Sequence, residues 1–190
     1  SSAASDVYKR QALGASKKFL RKGHREQGVN VMIEMLAYCD GSSFAGAGSG
    51  SGVVIFEKKD QELVPYKQFA VPLPPSATNN EAEYHAVIAA LEQFLKVRSG
   101  NANFTVFSDS ELVIRQINGE YKARDEKLIP LLKEVFSLIT ELDTTRTSRT
   151  DSGNTERWAL EFKHVPRTSN EIADKLARIG SMLSPTHSNG

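Results

Sequence analysis

The sequence predicts an α/β fold: a mixed five-stranded sheet in the order β-β-β-α-β-α-α-β-α, with helices on both faces. Three observations carry this. Residues 31–73 hold three β-type stretches joined by short turns; from Asn79 the apolar residues switch to helical spacing; and beyond residue 100 short β-type stretches alternate with helical ones. Short connections give antiparallel neighbours, and strand–helix alternation gives parallel ones.

Residues 31–39 are largely apolar and run into Asp40-Gly41-Ser42, so the first strand is expected to end with Asp40 at its tip. A glycine-rich turn over 45–52 and the run Val53-Val54-Ile55-Phe56 give a turn and a second strand. Residues 63–73 give a third; Pro65 cannot donate to a central ladder and calls for an edge, and Pro72, Pro74 and Pro75 close the strand. Ala86, Val87, Ala90, Leu91, Phe94 and Leu95 then form one helical stripe, whose start is marked by a Thr78/Glu81 capping box. Residues 104–108 read as a strand and 111–117 as a short helix, opened by a Ser108-x-x-Glu111 box and ended by Asn118-Gly119. Residues 128–142 form a longer amphipathic helix, and 144–157 are polar and expected to be a mobile insertion. Residues 158–165 return to strand character. Thr168 and Glu171 cap a final helix whose expected core face is Ile172, Ala173, Leu176 and Ile179.

A chain of 190 residues suits one core. The expected domain is 29–184, preceded by a basic leader over 1–28 and followed by a flexible tail over 185–190. The leader is rich in Ser, Ala, Lys and Arg and has no sustained apolar periodicity; it reads either as a solvated or cloning-derived segment or as a grip on nucleic acid. No apolar run approaches the roughly 18–20 residues that span a bilayer, so a soluble, cytoplasmic chain without a membrane partner is expected. The single cysteine, Cys39, excludes an intrachain disulfide and a multi-cysteine zinc site, so any metal must be held mainly by oxygen ligands. From Glu26 onward the chain carries 17 basic and 22 acidic residues, a net of −5. A protein of that balance cannot bind phosphate by bulk attraction and needs placed cations or metal ions.

Asp40, Glu83, Asp109 and Asp174 stand where structural acids are unusual: at strand ends, in the first turns of a helix, and beside a helix's apolar face. Strand ends and helix N-termini at one edge of an α/β sheet converge on one crevice. Clustered carboxylates repel unless cations intervene, and hard oxygen ligands select Mg²⁺ or Mn²⁺. Two such ions about 4 Å apart activate water and stabilise the leaving oxygen in phosphodiester hydrolysis. The competing possibilities are helix capping at Asp109 and, for Glu83, the neighbouring Glu81 as the functional acid.

The segments Cys39-Asp40-Gly41-Ser42-Ser43, Thr78-Asn79-Asn80-Glu81-Ala82-Glu83, Ser108-Asp109-Ser110 and Asn170-Glu171-Ile172-Ala173-Asp174 resemble, in order, the signatures of the ribonuclease H family, type 1. Each is weak alone, the ordered set is specific, and the resemblance covers residues 31–183. It implies the ribonuclease H fold, two Mg²⁺ or Mn²⁺ ions on Asp40, Glu83, Asp109 and Asp174, and hydrolysis of the RNA strand of an RNA·DNA hybrid. For hybrid recognition by shape and 2′-hydroxyl contacts it implies Gly41, Ser42, Asn79 and Asn80, with helix capping as the alternative for the asparagines; Thr78 is expected to cap the helix and contact a DNA-strand phosphate, and Asn170 is a further substrate-binding candidate. It implies for His164 a part in proton transfer or product release; the alternative is a strand-end surface residue.

Two departures stand out. Glu111 replaces a glutamine common in the family, and Gly119-Glu120-Tyr121-Lys122-Ala123-Arg124 runs into the next helix without the basic protrusion of many members, which resembles the handle-less, reverse-transcriptase-like branch. Lys122, Arg124 and Lys127 are the remaining cationic candidates there. Alternative functions are a catalytically silent hybrid-binding domain, a ribonuclease H domain cut from a retroelement reverse transcriptase, and a DNA-directed enzyme of the same superfold. Nothing in the sequence calls for a protein partner, and a monomer is expected.

Overall fold

The computed structural model describes residues 32–44, 48–97, 101–147 and 158–185. The leader over 1–28, most of the polar stretch over 144–157 and the tail beyond 185 lie outside the described residues. Strands β1 (Ile33–Phe44), β2 (Gly48–Lys59) and β3 (Glu62–Leu73) are followed by helix α1 (Asn79–Leu95), β4 (Ala102–Ser108), α2 (Glu111–Ile117), α3 (Leu128–Thr147), β5 (Trp158–His164), a 3₁₀ turn (Arg167–Ser169) and α4 (Glu171–Met182). The sheet order is β3-β2-β1-β4-β5, antiparallel from β3 to β1 and parallel from β1 to β5. This is the predicted mixed sheet.

Strand β1 is central and covered on both faces, which is why it reads as an almost unbroken apolar run. Alternate residues serve opposite faces. Met35, Ala37 and Cys39 join the larger core with Ala86, Val87, Ala90, Leu91 and Phe94 of α1 and with residues of α2 and α3; Phe94 stacks on Phe104 at 4.4 Å. Leu36 and Tyr38 join a smaller core with Val54, Phe56, Phe107 and Ala173, the last from α4. Three helices therefore cover one face and α4 the other.

Pro65 lies in the edge strand at an irregularity of the β2–β3 pairing, so its missing N–H costs no central ladder bond. Asp60 and Gln61 turn that hairpin with φ of 47° and 72°, the geometry of a two-residue primed turn.

The structure corrects several local expectations. Strand β1 continues past Asp40 to Phe44, and β2 begins at Gly48, so most of the glycine-rich stretch is strand. Its glycines serve close packing: a Cβ on Gly50 would lie 2.2 Å from the backbone of Gly180 in α4. For the same reason the buried face of α4 is built from small residues, Ala173, Ala177, Gly180 and Ser181, and the expected core residue Ile179 is 46% exposed. Helix α3 runs on to Thr147; Thr144 and Thr145 satisfy their hydroxyls on the carbonyls of Thr140 and Glu141 instead of ending the helix. The Thr78/Glu81 box forms, but the other two do not. Ser110 caps α2 while Glu111 pairs with Arg115, and Thr168 lies inside the 3₁₀ turn, leaving Asn170 at the start of α4.

Candidate active site

The parallel pairing of β1 with β4 stops at Cys39 and Ser108, so Asp40 and Asp109 follow the last paired residues of two adjacent strands. Glu83 enters from α1. The capping box, with Thr78 N–H donating to Glu81 Oε2 at 2.7 Å and Glu81 N–H donating to Thr78 Oγ1 at 3.3 Å, sets the helix start and turns Glu83 inward. Glu81 is thereby spent as a cap, which decides between the two glutamates. Helix α1 comes this close because residue 41 is glycine: a Cβ there would lie 2.2 Å from the Glu83 nitrogen.

One carboxylate oxygen from each of Asp40, Glu83 and Asp109 lies within 4.8 Å of the others. Asp40 and Glu83 are only 4% and 5% exposed. Gly41 N–H donates to Asp40 Oδ1 at 2.9 Å, and Ser108 Oγ donates to Glu83 Oε2 at 3.4 Å. Burial, then the nearby Asp109 carboxylate, push Asp40 up from 3.8 to about 7. Burial and the Asp40 charge push Glu83 well above its ordinary value. Three carboxylate oxygens gathered this closely are what a hard divalent cation relieves, so the donor set fits Mg²⁺ or Mn²⁺.

Asp174 lines the same crevice, of about 430 Å³, but stands outside the close trio. Arg178 Nε lies 3.0 Å from its Oδ2 and Arg167 Nη2 lies 3.2 Å from its Oδ1. Both arginines line the crevice and were missed by the sequence reading. The i,i+4 spacing of Asp174 and Arg178 on a helix was a usable signal; Arg167 reaches Asp174 only through the fold.

The remaining expected residues divide. Gly41, Ser42 and Asn79 line the crevice. Thr78 and Asn80 are exposed beside it at the helix start, with Thr78 the cap. His164 is exposed at the end of β5, opposite Ser108 in the ladder, and is not among the lining residues. Asn170 was expected to touch substrate, but it is 0% exposed, with its Nδ2 on Cys39 O at 2.8 Å and on Asp109 Oδ1 at 2.6 Å. It stands behind the carboxylates, its amide spent on the protein itself. Cys39 is also fully buried, its thiol pushed up by burial and the adjacent acids, and takes no part as a nucleophile.

Residues 32–182 match the family model described as RNase H. The bifunctional protein Rv2228c of Mycobacterium tuberculosis is 28% identical over 150 residues, 78% of this chain and 35% of that protein. The chain thus spans about a third of the length of these mycobacterial relatives. Ribonuclease HI of Halobacterium salinarum is 31% identical over 141 residues, 74% of this chain and 61% of that protein. The crystal structure of that organism's RNase H1 superposes with a TM-score of 0.61 at 29% identity, covering 77% of this chain and 96% of that one. LC11-RNase H1, isolated from compost by a metagenomic approach and solved with an RNA/DNA hybrid, superposes with a TM-score of 0.53 at 28% identity, covering 76% and 94%. With the fold, the acids and the family match agreeing over the same residues, the chain belongs to the ribonuclease H family, as a type 1 member.

Proposed function

We propose that this chain hydrolyses the RNA strand of RNA·DNA hybrids with the help of two Mg²⁺ or Mn²⁺ ions, and that residues 29–184 are its catalytic unit. The observation that carries this reading is the close trio of buried Asp40 and Glu83 and half-buried Asp109, opening into a crevice that Asp174 shares. Bound in this crevice, the ions supply an activated water and a counter-charge for the leaving oxygen. Asp40, Glu83, Asp109 and Asp174 hold them. Asp40 lies between the other groups by place in the fold: its strand pairs with β4 on one side, and its carboxylate meets Glu83 on the other.

The protein's own contribution is positioning and charge. Gly41 and Ser42, on the strand beside the acids, and Asn79 at the start of α1 offer backbone and short polar groups to the hybrid's minor groove, where ribose 2′-hydroxyls distinguish RNA from DNA. Thr78 and Asn80, exposed at the same helix start, offer contacts to a phosphate. Arg167, with a side chain 73% exposed, keeps donors free for a phosphate oxygen while it holds Asp174. His164 is assigned an assisting part, in proton transfer or product release.

Cleavage of matched RNA·DNA, RNA·RNA and DNA·DNA duplexes, with and without Mg²⁺ or Mn²⁺, tests the proposal. The expected result is metal-dependent cutting of the RNA in the hybrid alone. Metal-independent cutting, or equal cutting of DNA·DNA, would refute it.

A further inference from the structure

We infer that Asn170 is a positioning residue of the metal site: its buried amide ties the Asp109 carboxylate to the backbone at Asp40 and sets their spacing before any ion binds. The inference rests on the metal-dependent reading above. Three observations lead to it.

The first is what Asn170 does not do. It stands at the N-terminus of α4, a position where asparagine is favoured because its side chain caps the first free N–H groups. Here the side chain makes no capping bond, and φ and ψ of −116° and 17° are not those of a usual cap. The helix forgoes that contribution.

The second is where the amide goes. Both N–H groups of Nδ2 are used, one on Asp109 Oδ1 at 2.6 Å and one on Cys39 O at 2.8 Å. The reverse amide orientation would set Oδ1 against a carboxylate and a carbonyl, so the assignment is fixed by its partners. Oδ1 itself is buried with no hydrogen-bond partner, a cost that a side chain present only for stability would avoid.

The third is the place in the sheet. Cys39 and Ser108 are the last pair of the parallel β1–β4 ladder. Beyond them no ladder bond fixes Asp40 against Asp109, and Asn170 supplies the cross-link there from a third element. That element also carries Asp174, so one side chain relates the frames of three of the acids. An amide suits the task better than a lysine or arginine: it orients the carboxylate without cancelling the charge that must attract the ion. Asp174, outside the trio, is held by cations instead.

The test uses the full chain with Asn170→Ala and Asn170→Ser. Mn²⁺ affinity is measured by titration calorimetry, thermal unfolding in EDTA, and kcat and KM on hybrid. The expected result is Mn²⁺ binding weakened roughly ten- to a hundredfold and kcat reduced, with KM for hybrid within about twofold of wild type. Unchanged Mn²⁺ affinity in a folded variant overturns the inference, whether the melting temperature falls, as for a structural bond, or KM rises, as for a substrate contact. If wild type itself binds no Mn²⁺, the metal-dependent reading fails first. If neither variant folds, the Asn170 side-chain amide resonance of wild type decides: slow exchange with solvent and a shift on adding Mg²⁺ support the inference, and indifference to Mg²⁺ overturns it.

Discussion

Asp40 concentrates the chemistry of the site in one residue. Its carboxyl is pushed from 3.8 to about 7 by burial and by Asp109, so the folded chain keeps a proton that the unfolded chain releases. Such a group contributes stability that is whole below about pH 4 and is lost as pH rises towards 7. Metal-free protein is therefore expected to melt higher at pH 5 than at pH 8 in EDTA, by a difference on the order of a few kcal/mol at most. Mg²⁺ should restore the loss at pH 8. Asp40→Asn should abolish cleavage, leave the fold intact, and flatten this pH dependence, with metal-free unfolding unchanged or harder; full activity in this variant would remove Asp40 from the site. His164 is the contrasting case, exposed and away from the crevice lining. If it moves a proton, His164→Ala lowers turnover at saturating hybrid and metal roughly ten- to a hundredfold, and turnover within about twofold of wild type removes it from the mechanism.

At the level of elements, the contact between β2 and α4 is the most exacting. Gly50 meets the backbone of Gly180, and an added methyl has no flexible side chain to displace. Gly50→Ala should cost about 3 kcal/mol or more and, because the displaced helix carries Asp174, weaken metal binding as well. Gly119→Ala is the control: a Cβ there meets nothing within 4 Å, although φ of 76° is unfavourable for a side chain. Its cost should be about 1–2 kcal/mol with activity unchanged. Chemical denaturation and Mn²⁺ titration of both variants check the pair. Helix α1 shows why a capping motif can be functional. The Thr78/Glu81 box ends one ambiguity in the sequence by consuming Glu81, and the start it sets puts Glu83 among the acids.

For the whole molecule, charge is divided between a basic N-terminal stretch and a remainder of net −5 from Glu26 onward. If residues 29–184 are the catalytic unit, deleting residues 1–28 should leave hybrid cleavage qualitatively intact and weaken binding chiefly at low salt, since a basic segment contributes screened, sequence-independent attraction. Cleavage assays across a salt series decide this; a folded but inactive truncation would place the leader inside the catalytic unit. No helix among the described residues is long and apolar enough to cross a membrane.

The architecture was legible in the residues because strand and helix periods, Pro65 at an edge and the Thr78/Glu81 box are local signals that the tertiary structure had no reason to override. The ordered acids were legible for a related reason: a carboxylate next to an apolar run is costly unless the fold collects it with others. What only the tertiary structure decided is which acids meet closely and what holds them. Asp40, Glu83 and Asp109 form the trio, while Asp174 stands outside it, paired with Arg178 and with Arg167, a partner from outside its helix. Gly48, Gly50 and Gly52, read as part of a turn, became strand, the Ile179 face became exposed, and Asn170 lies buried with its amide on Asp109 and Cys39. Each of these depends on how closely α4 lies on the sheet, a distance set by residues far apart in sequence and therefore written in no single local pattern.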